Sequence, residues 1–176
     1  MKTILSILIF LIFIPQQDSN RIFWNENRKL SWEDFQSKPP KGVPFAAITN
    51  TGISFSYSFT NENGKINTEY HVQSFFEPSG SWFIPEKVSS YILRHEQAHF
   101  DITELHARRL RKQLERKKFS KNVKSEMETI YREVEQQKTA MQKNFDKETD
   151  HSLNEKNEIR WQEFIAKELA NYNDWK

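Results

Sequence analysis

His95-Glu96-Gln97-Ala98-His99 places two imidazoles four residues apart, with a carboxylate beside the first. On an α-helix, residues at that spacing differ by about 40° around the axis and about 6 Å along it. Two imidazoles can then converge on one zinc ion at about 2.0–2.1 Å. Glu96 sits where its carboxylate reaches a water on the ion rather than the ion itself. This is the donor set of metal-assisted hydrolysis, in which the glutamate takes a proton from the activated water and returns it to the leaving amine. The chain has five histidines. At this composition the pattern arises by chance in about one chain in a hundred. The expectation is that His95 and His99 bind zinc and Glu96 is the catalytic base.

A catalytic zinc needs a third protein ligand and an open position. Asp101 and Glu104 follow too closely, because a continuous helix turns both away from the histidine face; Asp101 is left a supporting role. His106 lies on the correct face, about 10 Å further along the axis, and reads as a polar residue beneath the site. His71 reads as a strand surface residue. The stretch Asp146-Lys147-Glu148-Thr149-Asp150-His151 concentrates donors within six residues. It follows a long helix able to return antiparallel to the first. His151 is the expected ligand, with Asp146 and Glu148 as alternatives. A transition-state oxyanion needs a further donor, for which Tyr131, Arg94 and His106 are candidates.

The elements that position these residues are legible from period and punctuation. Residues 53–59 and 66–76 alternate apolar and polar side chains, with Ile53, Phe55, Tyr57 and Phe59 on one face and Ile66, Tyr70, Val72 and Phe76 on the other strand. Asn63-Gly64 between them supplies the positive φ of a tight hairpin turn. Ser81 to Ile84 is a candidate third strand, an edge along which an extended peptide substrate could pair, with Trp82 lining the cleft. Residues 37–42 read as a loop. Pro85 can open a helix, expected to run to about residue 117. A second helix is expected over about 121–145, a polar loop over 146–154 and a last helix over about 155–173. No internal repeat is present, and polar interruptions argue against a coiled coil. The predicted fold is α+β: a small antiparallel sheet followed by three helices, zincin-like, with the histidine motif on the first long helix.

The 176 residues suggest one domain. Fourteen Phe and five Trp supply core material. A net charge of +2 argues against a nucleic-acid partner. Lys2 followed by an apolar run from Ile4 to Ile14 is shorter than the roughly 20 residues of a membrane span and fits an export signal. Residues 1–20 are therefore expected to be a signal peptide or short anchor, and 21–176 the folded domain. The mature form is expected to lack a membrane span and to be secreted or periplasmic. With no cysteine there are no disulfides and no thiolate ligands.

With these residues in view, the chain resembles the bacterial family described as predicted secreted zinc-dependent proteases. The resemblance rests on His95 through Glu104, on Leu30-Ser31-Trp32-Glu33-Asp34-Phe35, on Ala46 to Thr49, Ser81-Trp82, Arg160-Trp161, and on Asp146 to His151 as a D-x-x-T-x-H element. It covers about residues 29–165. It implies a zinc peptidase acting on a peptide or protein, with His151 as third ligand ahead of the acidic alternatives. The family's pattern has a glycine after that histidine, where this chain has Ser152. A positive φ there would strain the serine. A second function remains open: a metal-stabilised interaction module of the cell envelope, whose basic runs around residues 108–112 and 116–118 would meet acidic surfaces. A purely structural zinc site has no need of Glu96, and this separates the two.

Overall fold

The computed structural model describes residues 20–176. The proposed export signal falls on residues 1–19, outside that range. In chain order the elements are strands β1 (Ile22–Phe23), β2 (Ala47–Ile48), β3 (Thr51–Glu62), β4 (Lys65–Phe76) and β5 (Trp82–Phe83), then helices α1 (Ser90–Arg116), α2 (Val123–Thr149) and α3 (Glu155–Asn171), with short 3-10 turns between. The fold is α+β, a small antiparallel sheet and three helices. Among the described residues no helix is long and apolar enough to cross a membrane.

β3 and β4 form the expected hairpin, in unbroken register from Thr51↔Phe76 to Glu62↔Lys65. Asn63 and Gly64 close it with φ of 54° and 85°, the positive angles a two-residue turn demands. Trp82–Phe83 does not extend this sheet. It pairs with Ala47–Ile48 in a separate two-stranded sheet. The vacant edge of β4 is taken by β1, Ile22 facing Phe76, and by the Trp24 N–H donating to Ser74 O at 3.1 Å.

The apolar face of the hairpin, Ile53 and Val72, lies on Ala107, Leu110 and Leu114 of α1 and on Val123, Met127 and Val134 of α2. A second cluster joins α1 to the other helices through Ala98, Ile102, Phe145 and Ile165. A third seats the N-terminal segment, Leu30 and Phe35, on Phe76 and Phe100. α1 is thus packed by the hairpin, the other two helices and the segment from Leu30 to Phe35, which explains the buried polar residues along it. Glu104, 3 % exposed, accepts from Arg108 at 2.9 Å, Arg111 at 3.2 Å and Ser74 at 2.6 Å. A buried carboxylate persists only when paired and hydrogen-bonded, and this one ties α1 to β4.

Two helix boundaries differ from expectation. Pro85 opens only a 3-10 turn, Pro85–Lys87. α1 begins at Ser90 because the Ser89 hydroxyl accepts from the Ile92 N–H, a favourable N-cap. α2 runs past residue 145 to Thr149 and ends where Asp150 turns left-handed at φ 49°. Asp146 and Glu148, expected in a loop, are therefore helical. Phe145 and Thr149, one turn apart, are both completely buried, and that burial carries the helix through its polar sequence.

His106 is completely buried, and its Nδ1 meets Ile102 O at 2.8 Å. Burial holds its pKa down to about 4, from an ordinary 6.5. The unfolded chain binds the proton first, so the contribution of neutral His106 is complete above pH 6.5 and is lost as pH falls towards 4. Urea unfolding of wild type should lose about 3 kcal/mol more over that window than His106→Asn; parallel pH profiles would refute this.

Candidate metal centre

His95 and His99 stand on one face of α1, in the turn where α2 and α3 cross it. The two rings are 4.8 Å apart and nearly perpendicular. Phe145 holds them, stacked on His95 at 4.5 Å and edge-on to His99 at 5.1 Å. The Nε2 atoms face each other at 3.2 Å. Asp146, one residue after Phe145 on α2, brings its Oδ1 to 3.3 Å from His95 Nε2 and 3.0 Å from His99 Nε2.

The outer nitrogen of each ring is claimed by another helix. His95 Nδ1 donates to the Glu158 carboxylate of α3 at 2.9 Å. His99 Nδ1 donates to Gln142 Oε1 of α2. The Gln142 amide is oriented by its own donation to His99 O at 2.8 Å and Thr103 Oγ1 at 3.3 Å. With both Nδ1 atoms protonated, both Nε2 lone pairs point at one place. Bringing two lone pairs and a carboxylate oxygen together is repulsive unless a proton or a metal cation sits between them.

The dimensions suit one. Ligands of a tetrahedral ion with bonds of about 2.0–2.1 Å are separated by about 3.3 Å, close to the three separations here. His95, His99 and Asp146 could therefore hold a metal ion. The electrostatics agree. Burial lowers the His95 pKa, yet hydrogen bonds to Asp146 and Glu158 and the charges of Glu158 and Glu96 outweigh it and raise the value to about 9. Burial raises the Asp146 pKa, but the two imidazoles overcome it and hold the carboxyl well below the usual range. The surroundings select positive charge at this point.

A cavity of about 740 Å³ opens over the triad. Its floor is His95, Glu96 and His99, one wall is α2, and the other is the segment from Pro44 to Thr51. Glu96 is 5 % exposed and, among the described residues, forms no hydrogen bond or ion pair. Along the segment wall, Ile84 N–H donates to Ala46 O at 2.8 Å. Antiparallel bonding alternates, so Ala47, one residue on, directs its N–H and C=O away from β5. The strand bordering the cavity is therefore β2, with the anticipated edge, Trp82–Phe83, on its far side.

The remaining candidates are dispersed. His151 lines the cavity rim, half-exposed, its Nδ1 3.9 Å from Asp146 Oδ1 and its ring 4.9 Å from Phe45. Glu148 turns outward and accepts from Trp161 Nε1 at 3.0 Å and from Arg160. Asp101 accepts from Trp24 Nε1 at 2.6 Å and Gln97 at 2.8 Å. Tyr131 donates to Ile53 O at 3.2 Å within the sheet–helix core. Trp82 is buried in β5. Arg94 donates to Ser90 O on its own helix at 3.4 Å, and His71 is exposed on β4. Glu158 and Gln142 were not anticipated. Glu158 had a sequence signal: it precedes Trp161, Ile165 and Leu169 at helical spacing, a lone carboxylate on an apolar stripe.

A family model described as "Bacterial protein of unknown function (DUF922)" matches residues 28–152. No curated protein and no solved structure matches the chain.

Two outcomes follow from this geometry. Glu158→Ala should weaken divalent-metal affinity by about 10–100-fold, with Glu158→Gln between it and wild type, because the amide can still accept from His95 Nδ1. Competition against a chromophoric chelator measures it, and unchanged affinity in the alanine variant would count against the triad. Asp150, His151 and Ser152 are consecutive left-handed residues, with φ of 49°, 49° and 70°, costly for side-chain-bearing residues. Ser152→Gly should raise unfolding free energy by about 0.5–1 kcal/mol and leave metal content unchanged.

Proposed function

The chain belongs to the DUF922 family of bacterial proteins of unknown function, and we propose that it is a zincin-like, zinc-dependent hydrolase of peptides, exported to the periplasm or beyond. The observation that carries this reading is Glu96: a carboxylate in the cavity floor, between the two histidines in sequence, that forms no hydrogen bond or ion pair among the described residues and is open to the cavity. A site built only to bind metal has no need of a free carboxylate beside its first ligand, whereas a general base must be open to the water it deprotonates.

Zinc is the proposed ion because two imidazoles and a carboxylate at tetrahedral separations leave one position open. Bound zinc would supply a Lewis acid that acidifies water and polarises a carbonyl. His95, His99 and Asp146 would hold it, and Glu158 and Gln142 keep the imidazole nitrogens aimed. Glu96 accepts a proton from water as the water oxygen bonds to the scissile carbonyl carbon. As the carbon–nitrogen bond breaks, Glu96 delivers that proton to the leaving amine. His151, at the rim beside Asp146, is positioned either to join the ligand set or to donate a hydrogen bond to the developing oxyanion. The outward backbone groups of Ala47 offer a peptide substrate antiparallel pairing along β2, which holds it extended across the floor.

Glu96→Gln should retain about one equivalent of zinc by elemental analysis. Its turnover of an unstructured protein such as casein should fall by at least about 100-fold. Equal turnover by variant and wild type would reject the general-base assignment. A wild type that purifies with zinc yet cleaves no peptide or amide substrate would favour the metal-stabilised interaction module instead.

A further inference from the structure

We propose that the free edge of β3 is a self-association surface, on which a second copy of this chain pairs antiparallel about a two-fold axis at Tyr57. In the three-stranded sheet β3 is an outer strand, in the order β1-β4-β3. The opposite edge is occupied by β1, by Trp24 on Ser74 O, and by Arg111, which donates to Val72 O at 2.9 Å. β3 has no such cover along most of its length.

The hairpin register fixes which groups are free. Glu62 and Lys65 flank the two-residue turn, so the even-numbered residues of β3 bond to β4 and the odd-numbered ones face outward. Tyr131 confirms the alternation by donating to Ile53 O. Beyond that point the N–H and C=O groups of Phe55, Tyr57 and Phe59 have no hydrogen-bond partner among the described residues. Proteins ordinarily blunt such an edge with lysine, proline or a bulge. From Thr51 to Asn61 β3 carries no charge and no proline, and its register with β4 is continuous.

The occupant that this edge suits is itself. Centred on Tyr57, an antiparallel pair sets Phe55 opposite the partner's Phe59 on one face, each pair exchanging two hydrogen bonds. On the other face Ser56 meets the partner's Ser58 at the close, non-hydrogen-bonded spacing. Aromatic meets aromatic, hydroxyl meets hydroxyl, and no like charges are juxtaposed. Phe59, 45 % exposed, gains a neighbour. Ser56 and Ser58 are exposed, so substitutions there leave the core alone.

Light scattering and sedimentation of the full chain, up to about 1 mM, should show a mass approaching twice the monomer. Ser56→Lys combined with Ser58→Lys sets lysines opposite lysines and should weaken dimerisation by at least about tenfold. Ser56→Glu combined with Ser58→Lys sets opposite charges across the same axis and should restore it. Phe59→Pro, which removes an outward N–H and leaves the β4 ladder intact, should also give monomer, with circular dichroism and metal content unchanged. A wild type monomeric throughout, or both charged pairs behaving alike, would overturn the proposal.

Discussion

Everything at the centre depends on the imidazole nitrogens that face away from it. A histidine presents its Nε2 lone pair reliably only when its Nδ1 proton is engaged. Here those engagements come from two different helices, Glu158 on α3 and Gln142 on α2. α1 supplies the rings, but it does not aim them. The aim is a consequence of three helices meeting at one turn, with Phe145 packed against both rings.

The same crossing supplies the acid. Asp146 follows Phe145, so the residue that packs the rings also sets the carboxylate beside them. Had α2 ended at residue 145, Asp146 would be a loop residue with freedom to turn to solvent. Buried Thr149, whose hydroxyl donates to Phe145 O at 2.7 Å, keeps it in helical register. The concentration of negative charge this creates, from Asp146, Glu158 and Glu96 around two imidazoles, is tolerable in a buried site only where positive charge is expected.

The left-handed run from Asp150 to Ser152 belongs to the same constraint. α2 must stop within one turn of the site and α3 must return across α1 to deliver Glu158. Three consecutive positive-φ residues accomplish the reversal, and the packing of Phe145 and Ile165 in one apolar cluster on either side of it offsets their cost. This also leaves His151 at the rim, where its ring meets Phe45 from the opposite wall.

Local chemistry was enough to read the hairpin, since alternation and Asn63-Gly64 admit one register, and enough to read three helices from their apolar stripes. It was enough to single out His95, Glu96 and His99, because their geometry is set by one helical turn. The pairing of β5 with β2 was not legible, because two-residue strands carry no period and their partner is chosen by which edges remain vacant. Nor could the spacing rank Asp146 against His151. Both lie in one short polar stretch, and which of them faces the histidines depends on where α2 ends, a matter of burial against α1 and α3 rather than of propensity. Glu158, sixty-three residues from His95, could be noticed as a misplaced charge on an apolar face, but its partner was decided only by how the helices cross.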